Sequence, residues 1–342
     1  MQGIIDIIHK PKREGVSQKK EQKGKMKTKL MTLVAAAAAA ASVFAADCKC
    51  GKECSCEGGE NCTCSSEEFN YTPGEGLSYG EQSIVSAEFE MKFDSKYITY
   101  GVMDGMDPIV RLNGYATFFD WVYVGGEMLT DVTKGNGKRT PYGYGNRAGK
   151  LMTLDAQTGI AHEFNLGEAL GTLAVDFYYT YEYLPRHAGT MNDTQYLDIE
   201  LKLKDLWLEP KLWIERDIMA DEGTYVNLEL GHGFKLDEIA GLEGLTLRPS
   251  IAQGIGNSLR TRGYFYDVAD GFSHGGLMDT TVKGELEYEF TDWLKFGAYV
   301  AYYDYLFDSN MRDAARAYNA QWGKSCDHSY NFVFGVSLKA TF

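Results

Sequence analysis

The amino-acid sequence predicts an all-β protein whose strands form an antiparallel transmembrane β-barrel of about 12 strands, with short periplasmic turns and long extracellular loops. Three observations predict this fold class. Apolar and charged residues alternate with a period of two in segments throughout residues 83–342. The connections between these segments are alternately short and long, and an export signal precedes the first segment. Beyond the N-terminal region no segment approaches the roughly 18 consecutive apolar residues of a membrane helix.

The alternation is clear in residues 83–93, where every odd position from Val85 onward is apolar and the even positions are Ser, Glu or Lys. The same pattern recurs in residues 195–204 and 280–290. Successive side chains of a strand point to opposite faces, so each segment predicts a strand with one apolar and one charged face. The apolar faces must therefore lie against hydrocarbon or against a protein core.

Twelve segments are predicted as strands, and they are 83–93, 108–119, 121–130, 153–164, 171–183, 195–204, 206–216, 224–234, 245–254, 279–290, 293–303 and 329–342. Short connections such as Asp120 and 291–292 alternate with long ones such as 131–152, as in outer-membrane barrels. Eleven residues in a strand tilted by roughly 40° rise on the order of 27 Å, which matches the apolar band of such barrels. Proline has no N–H for the ladder, so we expect bulges at Pro210 and Pro249.

Aromatic residues are concentrated beside the short connections. They are Phe118, Phe119, Trp121, Phe164, Trp207, Phe234, Phe290, Trp293 and Phe342. Amphipathic rings gather at membrane interfaces, so this set predicts a periplasmic girdle. At the chain end alternate residues from Tyr330 to Phe342 are apolar, and this ending resembles the C-terminal signature of bacterial outer-membrane barrels, which implies recognition by the barrel-insertion machinery through Phe342.

The N-terminal region predicts export. Residues 26–45 combine a basic start, an apolar stretch and small residues before an expected cleavage between Ala45 and Ala46, which is a signal peptide. Residues 1–25 are interpreted as a mis-assigned start or an extended n-region. Cleavage would remove 9 basic and 3 acidic residues, so 34 − 9 = 25 basic and 48 − 3 = 45 acidic residues would remain, a net charge of −20. Such an acidic chain argues against nucleic acid as a partner.

Residues 46–82 are predicted to be a Cys-rich segment followed by a flexible linker that begins near residue 65. The cysteines form three Cys-x-Cys pairs, and they are Cys48, Cys50, Cys54, Cys56, Cys62 and Cys64. Thiolates are soft ligands, and the spacing is similar to that of metallothioneins, which implies a zinc or copper site. Disulfide pairing in an oxidising compartment and the absence of any defined role are the alternatives.

The segment Asp94-Ser-Lys-Tyr-Ile-Thr-Tyr-Gly101, followed by Asp107-Pro108 and the Asp120-Trp121 turn, resembles an uncharacterised family of porin-like bacterial outer-membrane proteins. The resemblance covers roughly the barrel region. It implies the location and the fold and no particular substrate.

If the apolar faces meet lipid, the polar faces line the barrel interior. The acidic set there is Glu88, Glu90, Glu127, Asp155, Glu163, Asp176, Glu182, Asp198, Glu200, Glu209, Glu215, Glu229, Glu285, Glu287 and Glu289, and the basic set is Lys92, Arg111, Lys202, Lys204, Lys211, Arg248, Lys283, Lys295 and Lys339. The residues we expect to line a pore are Glu88, Glu90, Lys92, Arg111, Glu127, Asp176, Asp198, Glu200, Lys202, Glu209, Lys211, Glu229, Lys283, Glu285 and Glu287. Because acids outnumber bases, an open pore should favour cations.

Enzyme activity is not expected. No Gly-x-Ser-x-Gly motif lies on a predicted strand, and His162 and His232 fall on lipid-facing positions. The remaining histidines after the signal peptide, His187, His274 and His328, lie in long loops, where they are surface residues or metal ligands.

These patterns together predict a bacterial outer-membrane barrel that acts as a passive, cation-preferring channel for small cationic or neutral solutes, with outer-membrane lipid as its surroundings and no required cofactor. One alternative is a non-conducting structural or surface-interaction barrel whose Tyr-rich loops, 141–144 and 264–266, contact outside partners. Another is soft-metal capture by the Cys-x-Cys segment. A soluble β-sandwich or lipocalin-like barrel would need short loops at both rims, and twelve strands is many for such a fold.

Overall fold

The computed structural model describes residues 69–72, 76–79, 82–132, 149–185, 192–236 and 243–342. All of them belong to a compact unit of residues 67–342. The signal peptide, the six clustered cysteines and the 141–144 loop lie outside the described residues, as does the zinc or copper site expected on those cysteines.

Twelve antiparallel strands form a closed barrel, as the alternation predicts. The strands are β3 (Gln82–Asp94), β6 (Ile109–Phe118), β7 (Val122–Asp131), β8 (Lys150–Asn165), β9 (Thr172–Tyr183), β10 (Thr194–Leu203), β11 (Lys211–Asp217), β12 (Thr224–Gly231), β14 (Leu245–Gly256), β15 (Gly276–Thr291), β16 (Leu294–Asp304) and β17 (Asn331–Thr341). Each pairs with its neighbour in sequence, except that β12 pairs with β14, and β3 closes the ring by pairing with both β6 and β17. The predicted fold class is confirmed.

Smaller elements accompany the ring. Strands β1 (Phe69–Thr72) and β2 (Gly76–Tyr79) form a hairpin, β4 (Tyr97–Thr99) and β5 (Val102–Gly105) form another, and β13 (Phe234–Lys235) pairs with β14. The helices are α1 (Ser258–Phe265), α2 (Ser309–Ala320) and the 3-10 helix Lys324–Cys326. Within the described ranges none of the helices combines the length and the apolar character needed to cross a membrane.

The hairpin of β1 and β2 lies within residues 65–82, which were expected to be a flexible linker, and that expectation is wrong for these two strands. Strand β2 pairs with the start of β3, with Leu77 opposite Val85. The pairing of β17 with β3 begins only at Glu88, so the first residues of β3 have a free edge on that side. Backbone groups at a free edge need hydrogen-bond partners, and β2 supplies them.

The bulges expected at the two prolines are wrong. Pro210 precedes β11, which therefore begins at Lys211 and not at the predicted residue 206. Pro249 lies within β14, but the register to β15 continues through the pair Pro249 and Gly284, and the shift falls later, between Gln253 and Ile255. The carbonyl of Pro249 accepts from His232, so its ring nitrogen faces the interruption between β12 and β13, where no ladder donor is needed.

The apolar strand positions face outward. Large apolar side chains are exposed on alternate positions of every stretch that shows the alternation, for example Phe89 at 48% and Phe334 at 60% exposure. Soluble monomers do not expose a continuous apolar band of this kind, whereas a barrel in lipid requires it. The outer surface is thus built for hydrocarbon.

The aromatic set predicted at the short turns lies at one rim, and most of its members are exposed, Trp207 at 67%. Neighbouring rings contact one another, as in the pair Trp293 and Phe342, whose centroids are 6.2 Å apart. The backbone of Phe342 exchanges two hydrogen bonds of 2.8 Å with Ala87 of β3. The last residue of the chain therefore contributes to barrel closure.

Four tyrosines on inward positions lie flat against the wall, and each follows the same rule. The ring lies over a glycine of the next strand and the hydroxyl donates to an acceptor on the strand after that. Each triad consists of a tyrosine, a glycine and an acceptor. They are Tyr115, Gly125 and Gln157 (hydrogen bond of 2.5 Å), Tyr123, Gly159 and Asp176 (2.9 Å), Tyr225, Gly254 and Asp279 (2.9 Å), and Tyr299, Gly335 and Asp94 (2.6 Å). The absent Cβ of each glycine is what lets the ring lie along the wall.

Gly159→Ala is expected to destabilise the barrel by about 1–3 kcal/mol, because the new Cβ would lie 2.7 Å from Cζ of Tyr123 and displace the ring. Urea unfolding in lipid vesicles, followed by tryptophan fluorescence, measures the change. Gly284→Ala is the matched control, since its nearest neighbour would be Val300 at 4.0 Å. Equal stability of the two variants would contradict the role assigned to the glycine.

Candidate functional site

The inner wall of the barrel consists of the strand positions that alternate with the exposed apolar ones. Their side chains contact one another across strands. Arg111 on β6, for example, donates to Asp94 on β3 at 2.8 Å and lies 3.4 Å from Glu127 on β7. Such contacts between three strands require that the three side chains share one face of the sheet.

The fifteen residues expected to line a pore occupy this wall in a consistent way. Fourteen lie on strand positions with at least one polar in-register neighbour, and Glu209 lies in the turn between β10 and β11. All are half-buried except Asp198, which is 2% exposed. Their use as a pore lining remains a prediction.

Every basic residue of the predicted inner set has a carboxylate partner. The pairs are Lys92 with Glu90 at 3.4 Å, Lys202 with Glu209 at 3.0 Å, Lys211 with Glu200 at 2.7 Å, Arg248 with Glu209 at 2.6 Å, Lys283 with Glu285 at 2.7 Å, Lys295 with Glu289 at 2.6 Å, Lys339 with Glu88 at 2.7 Å, Lys204 with Glu163, and Arg111 as described above. Burial acts to raise the pKa of Glu209, but hydrogen bonds from Arg248 and Lys202 outweigh it and lower that pKa to about 2. Glu209 is therefore ionised at any physiological pH.

The unpaired members of the predicted acidic set lie on one side of the wall. Of the fifteen acidic residues predicted to face the interior, five have no basic partner within 4.0 Å among the described residues, and they are Asp155, Asp176, Glu182, Asp198 and Glu229 on strands β8, β9, β10 and β12. Three of them accept hydrogen bonds instead, Asp176 from Tyr123, Glu182 from Tyr196 and Asp198 from Trp213. We call these five residues the acidic wall.

The end of the barrel that carries the long loops is filled by folded segments. Apolar residues of the β4–β5 hairpin, α1 and α2 form buried clusters that include Val102, Phe265 and Met311, each 0% exposed. A second cluster packs Tyr97 of the hairpin on Ile109 and Leu129 of the wall. The loop end is thus a packed plug and not an open mouth.

The hairpin crosses the lumen from one side to the other. It begins directly after β3, and Tyr100 at its tip donates to Glu215 on β11. Strands β3 and β11 are six places apart in either direction around the ring, so they are diametrically opposed. Between them, Gly101 accepts from Asn331 of β17 at 3.0 Å.

A buried arginine reinforces this contact. Arg260 of α1 is 1% exposed, donates to Glu215 at 2.8 Å and pairs with Asp221 at 3.2 Å. Its guanidinium lies 5.0 Å from the ring centroid of Tyr100, which is cation–π distance. One wall carboxylate therefore holds both the hairpin and α1.

The alternation in the sequence does not identify these plug residues, because the long connections do not have a period of two. Buried positions in irregular loops have no periodic signature, although the apolar content of 97–103 was a signal. The outward role expected for residues 264–266 is wrong for Phe265, which is fully buried against Tyr305 and Tyr318. Tyr264 packs inward on Tyr100, and only Tyr266 is exposed.

The four histidines that the structure describes do not contribute to the wall, and His187 lies outside the described residues. His162 and His232 contact rings at the short-turn rim, at 4.7 Å from Phe164 and 4.6 Å from Phe234, as expected for lipid-facing positions. His274 and His328 lie in the long loops. In the part of the chain that the structure describes, no group of three or more His, Cys, Asp or Glu residues is arranged to hold a metal ion.

The comparison with solved structures found chains of low similarity to this one. OccAB2 of Acinetobacter baumannii has 10% identity and a TM-score of 0.33 over 69% of this chain and 55% of that one, and OpdL of Pseudomonas aeruginosa has 12% identity and a TM-score of 0.31 over 69% and 59%. OccK5 (OpdH) of Pseudomonas aeruginosa has 9% identity and a TM-score of 0.33 over 75% and 98%. The chain spans a little over half the length of the first two. No family model and no curated protein sequence matches it.

Proposed function

We propose that this protein is a passive, porin-like channel of the bacterial outer membrane, with a preference for small cationic solutes. The observation that supports it most directly is the inside-out chemistry of the closed barrel. Apolar side chains cover the outside, and an ion-paired, acid-rich wall encloses the inside. An export signal and a lipid-facing exterior together favour the outer membrane as the location.

Water reaches much of this wall. The paired side chains of Glu90 and Glu289 are 16% and 54% exposed, and those of Lys283 and Glu285 are 32% and 31% exposed. The four tyrosines that lie over glycines keep their rings against the wall, so these rings leave the central space free. Both features support a hydrated lumen below the plug.

The preference for cations follows from the acidic wall. Ion pairs neutralise the basic residues, so the unpaired carboxylates on β8 to β12 set the sign of the potential in the lumen. A negative potential raises the local concentration of cations and lowers that of anions.

The hairpin across the lumen favours a second candidate, a barrel that does not conduct. Purified, folded protein in a planar bilayer separates the two. We expect stepwise ion current and, in a salt gradient, a reversal potential whose sign shows that cations permeate more readily than anions. The absence of ion current at every voltage would favour the non-conducting barrel.

Neutralising two residues of the acidic wall, in the double variant Asp176→Asn with Glu229→Gln, should lower the permeability ratio of K⁺ to Cl⁻ toward one, because neither carboxylate has a basic partner among the described residues. The reversal potential in a tenfold KCl gradient measures this. The control is Lys283→Gln with Glu285→Gln, which removes an ion pair at 2.7 Å and leaves the net charge unchanged. A ratio that stays the same in the acidic-wall variant would show that these residues do not set selectivity.

A further inference from the structure

The tip of the β4–β5 hairpin is hydrogen-bonded to the far wall and to the segment after β16. Tyr100 donates to Glu215 on the far wall, and the backbone carbonyl of Tyr100 accepts from the hydroxyl of Tyr305 at 2.5 Å. Glu215 is 6% exposed and also receives Arg260 at 2.8 Å. The bond between Tyr100 and Glu215 therefore lies in a region that excludes water, where a charge-assisted hydrogen bond is strong.

The backbone at this tip is strained. Tyr100 has a φ of +47° and Gly101 a φ of +82°, in a two-residue turn between the paired residues Thr99 and Val102. Such a turn needs positive φ at both central positions, which glycine adopts freely and tyrosine does not. A tyrosine at this position is disfavoured by the backbone, and its hydroxyl contact with Glu215 compensates for that cost.

Further hydrogen bonds join the hairpin to α2 and to the segment after it. Asp104 accepts from Tyr318 at 2.5 Å, the backbone N–H of Met103 donates to Asn319 at 2.9 Å, and Trp322 donates to the carbonyl of Met103 at 2.5 Å. In this arrangement the hairpin and α2 are packed together. On the far side of the barrel the hairpin is bonded to Glu215 through Tyr100, whose ring also lies 4.6 Å from that of Tyr225 on β12.

We propose that the β4–β5 hairpin is a gate across the lumen, latched in the closed position by the bond from Tyr100 to Glu215. The proposal rests on the channel function proposed above and adds its regulation. Release of Tyr100 from Glu215 frees the tip from the far wall, and the lumen then opens along β10 to β12, beside the acidic wall. The tip loses its hydrogen bond, and Glu215 keeps its ion pair with Arg260.

Tyr100→Phe tests the latch, because it removes only the hydroxyl that donates to Glu215. The expected result in single-channel recordings is a rise of about tenfold in the ratio of open to closed time, the effect of losing one charge-assisted hydrogen bond. Tyr302→Phe is the matched control, since it removes a Tyr–carboxylate bond of 2.8 Å to Asp304 on the lipid-facing side of β16. It should gate like the wild type.

A second variant, which removes the whole hairpin, tests the gate without relying on the substitution of a single residue. Residues 97–105 are replaced by a glycine-serine linker of equal length, and heat-modifiable migration in detergent gels verifies that the barrel is folded. This variant should conduct without closures. If it conducts while Tyr100→Phe gates like the wild type, the latch is overturned and the channel function stands. If every folded variant is silent, both the gate and the channel function are overturned.

The closed gate also buries a titratable group. Asp104 is 0% exposed, and burial raises its pKa to about 6, although the hydrogen bond from Tyr318 acts to lower it. The titratable groups that face Asp104 from the packed elements are Tyr97 of β4, Glu182 of β9, Tyr264 of α1, Tyr318 of α2 and Tyr305, which follows β16. None of these supplies a positive charge.

The sign of the pH dependence follows. Opening that separates the hairpin from α2 would expose Asp104 to water and return its pKa to its ordinary value of about 4, so below that pH it is protonated in both states and the closed gate incurs no ionisation cost. The cost appears as the pH rises from about 4 to about 6 and is complete above it. The open fraction should therefore increase by up to about a hundredfold between pH 4 and 7, and Asp104→Asn should abolish the increase. A wild-type open fraction that falls with rising pH would contradict this gate.

Discussion

Closure of the hydrogen-bond ladder between β17 and β3 is the constraint on which the rest of the structure depends. A sheet surrounded by hydrocarbon cannot leave N–H and C=O groups unpaired at its edges, so only a ring of strands is stable there. The final residue takes part directly, because Phe342 exchanges two hydrogen bonds with Ala87. Where β17 ends before β3 does, β2 pairs with the remaining edge. The ring thus satisfies its backbone on both sides of β3.

Once the ring is closed, its interior must accommodate many ionisable side chains in a confined space. Lysines and arginines pair with carboxylates on the same or on adjacent strands, which limits the cost of burying their charges. Bulky rings raise a different problem, since a tyrosine that pointed to the axis would fill the lumen. Glycines on the neighbouring strands solve it, because the ring then lies along the wall with its hydroxyl on a carboxylate such as Asp94 or Asp176. Charge pairing and ring placement therefore both keep polar groups satisfied and the centre unobstructed.

The strands and the wall were predictable because a period of two identifies both the fold and the inward face. All twelve strands were located from it, and the main error in their ends was at β11, where Pro210 stands before the strand and not inside it. The plug was not predictable in the same way. Tyr100, Asp104 and Arg260 lie in connections without periodicity, and their neighbours are distant in sequence, Glu215 being 115 residues from Tyr100. Contacts of that kind follow from the ring geometry, which sequence periodicity does not specify.

That ring geometry also explains why a short hairpin can control the whole lumen. In a ring of twelve strands the segment that follows β3 faces β11 directly, so a few residues reach from one wall to the other. The far wall there carries Glu215 next to the acidic wall, and a hydrogen-bond donor at the tip finds an acceptor in a dry site. Arg260 donates to the same carboxylate at 2.8 Å and supplies a counter-charge beside it. A hydrogen bond between two side chains thereby spans the lumen, and the ring of Tyr100 adds a contact of 4.6 Å with that of Tyr225 on β12, next to β11.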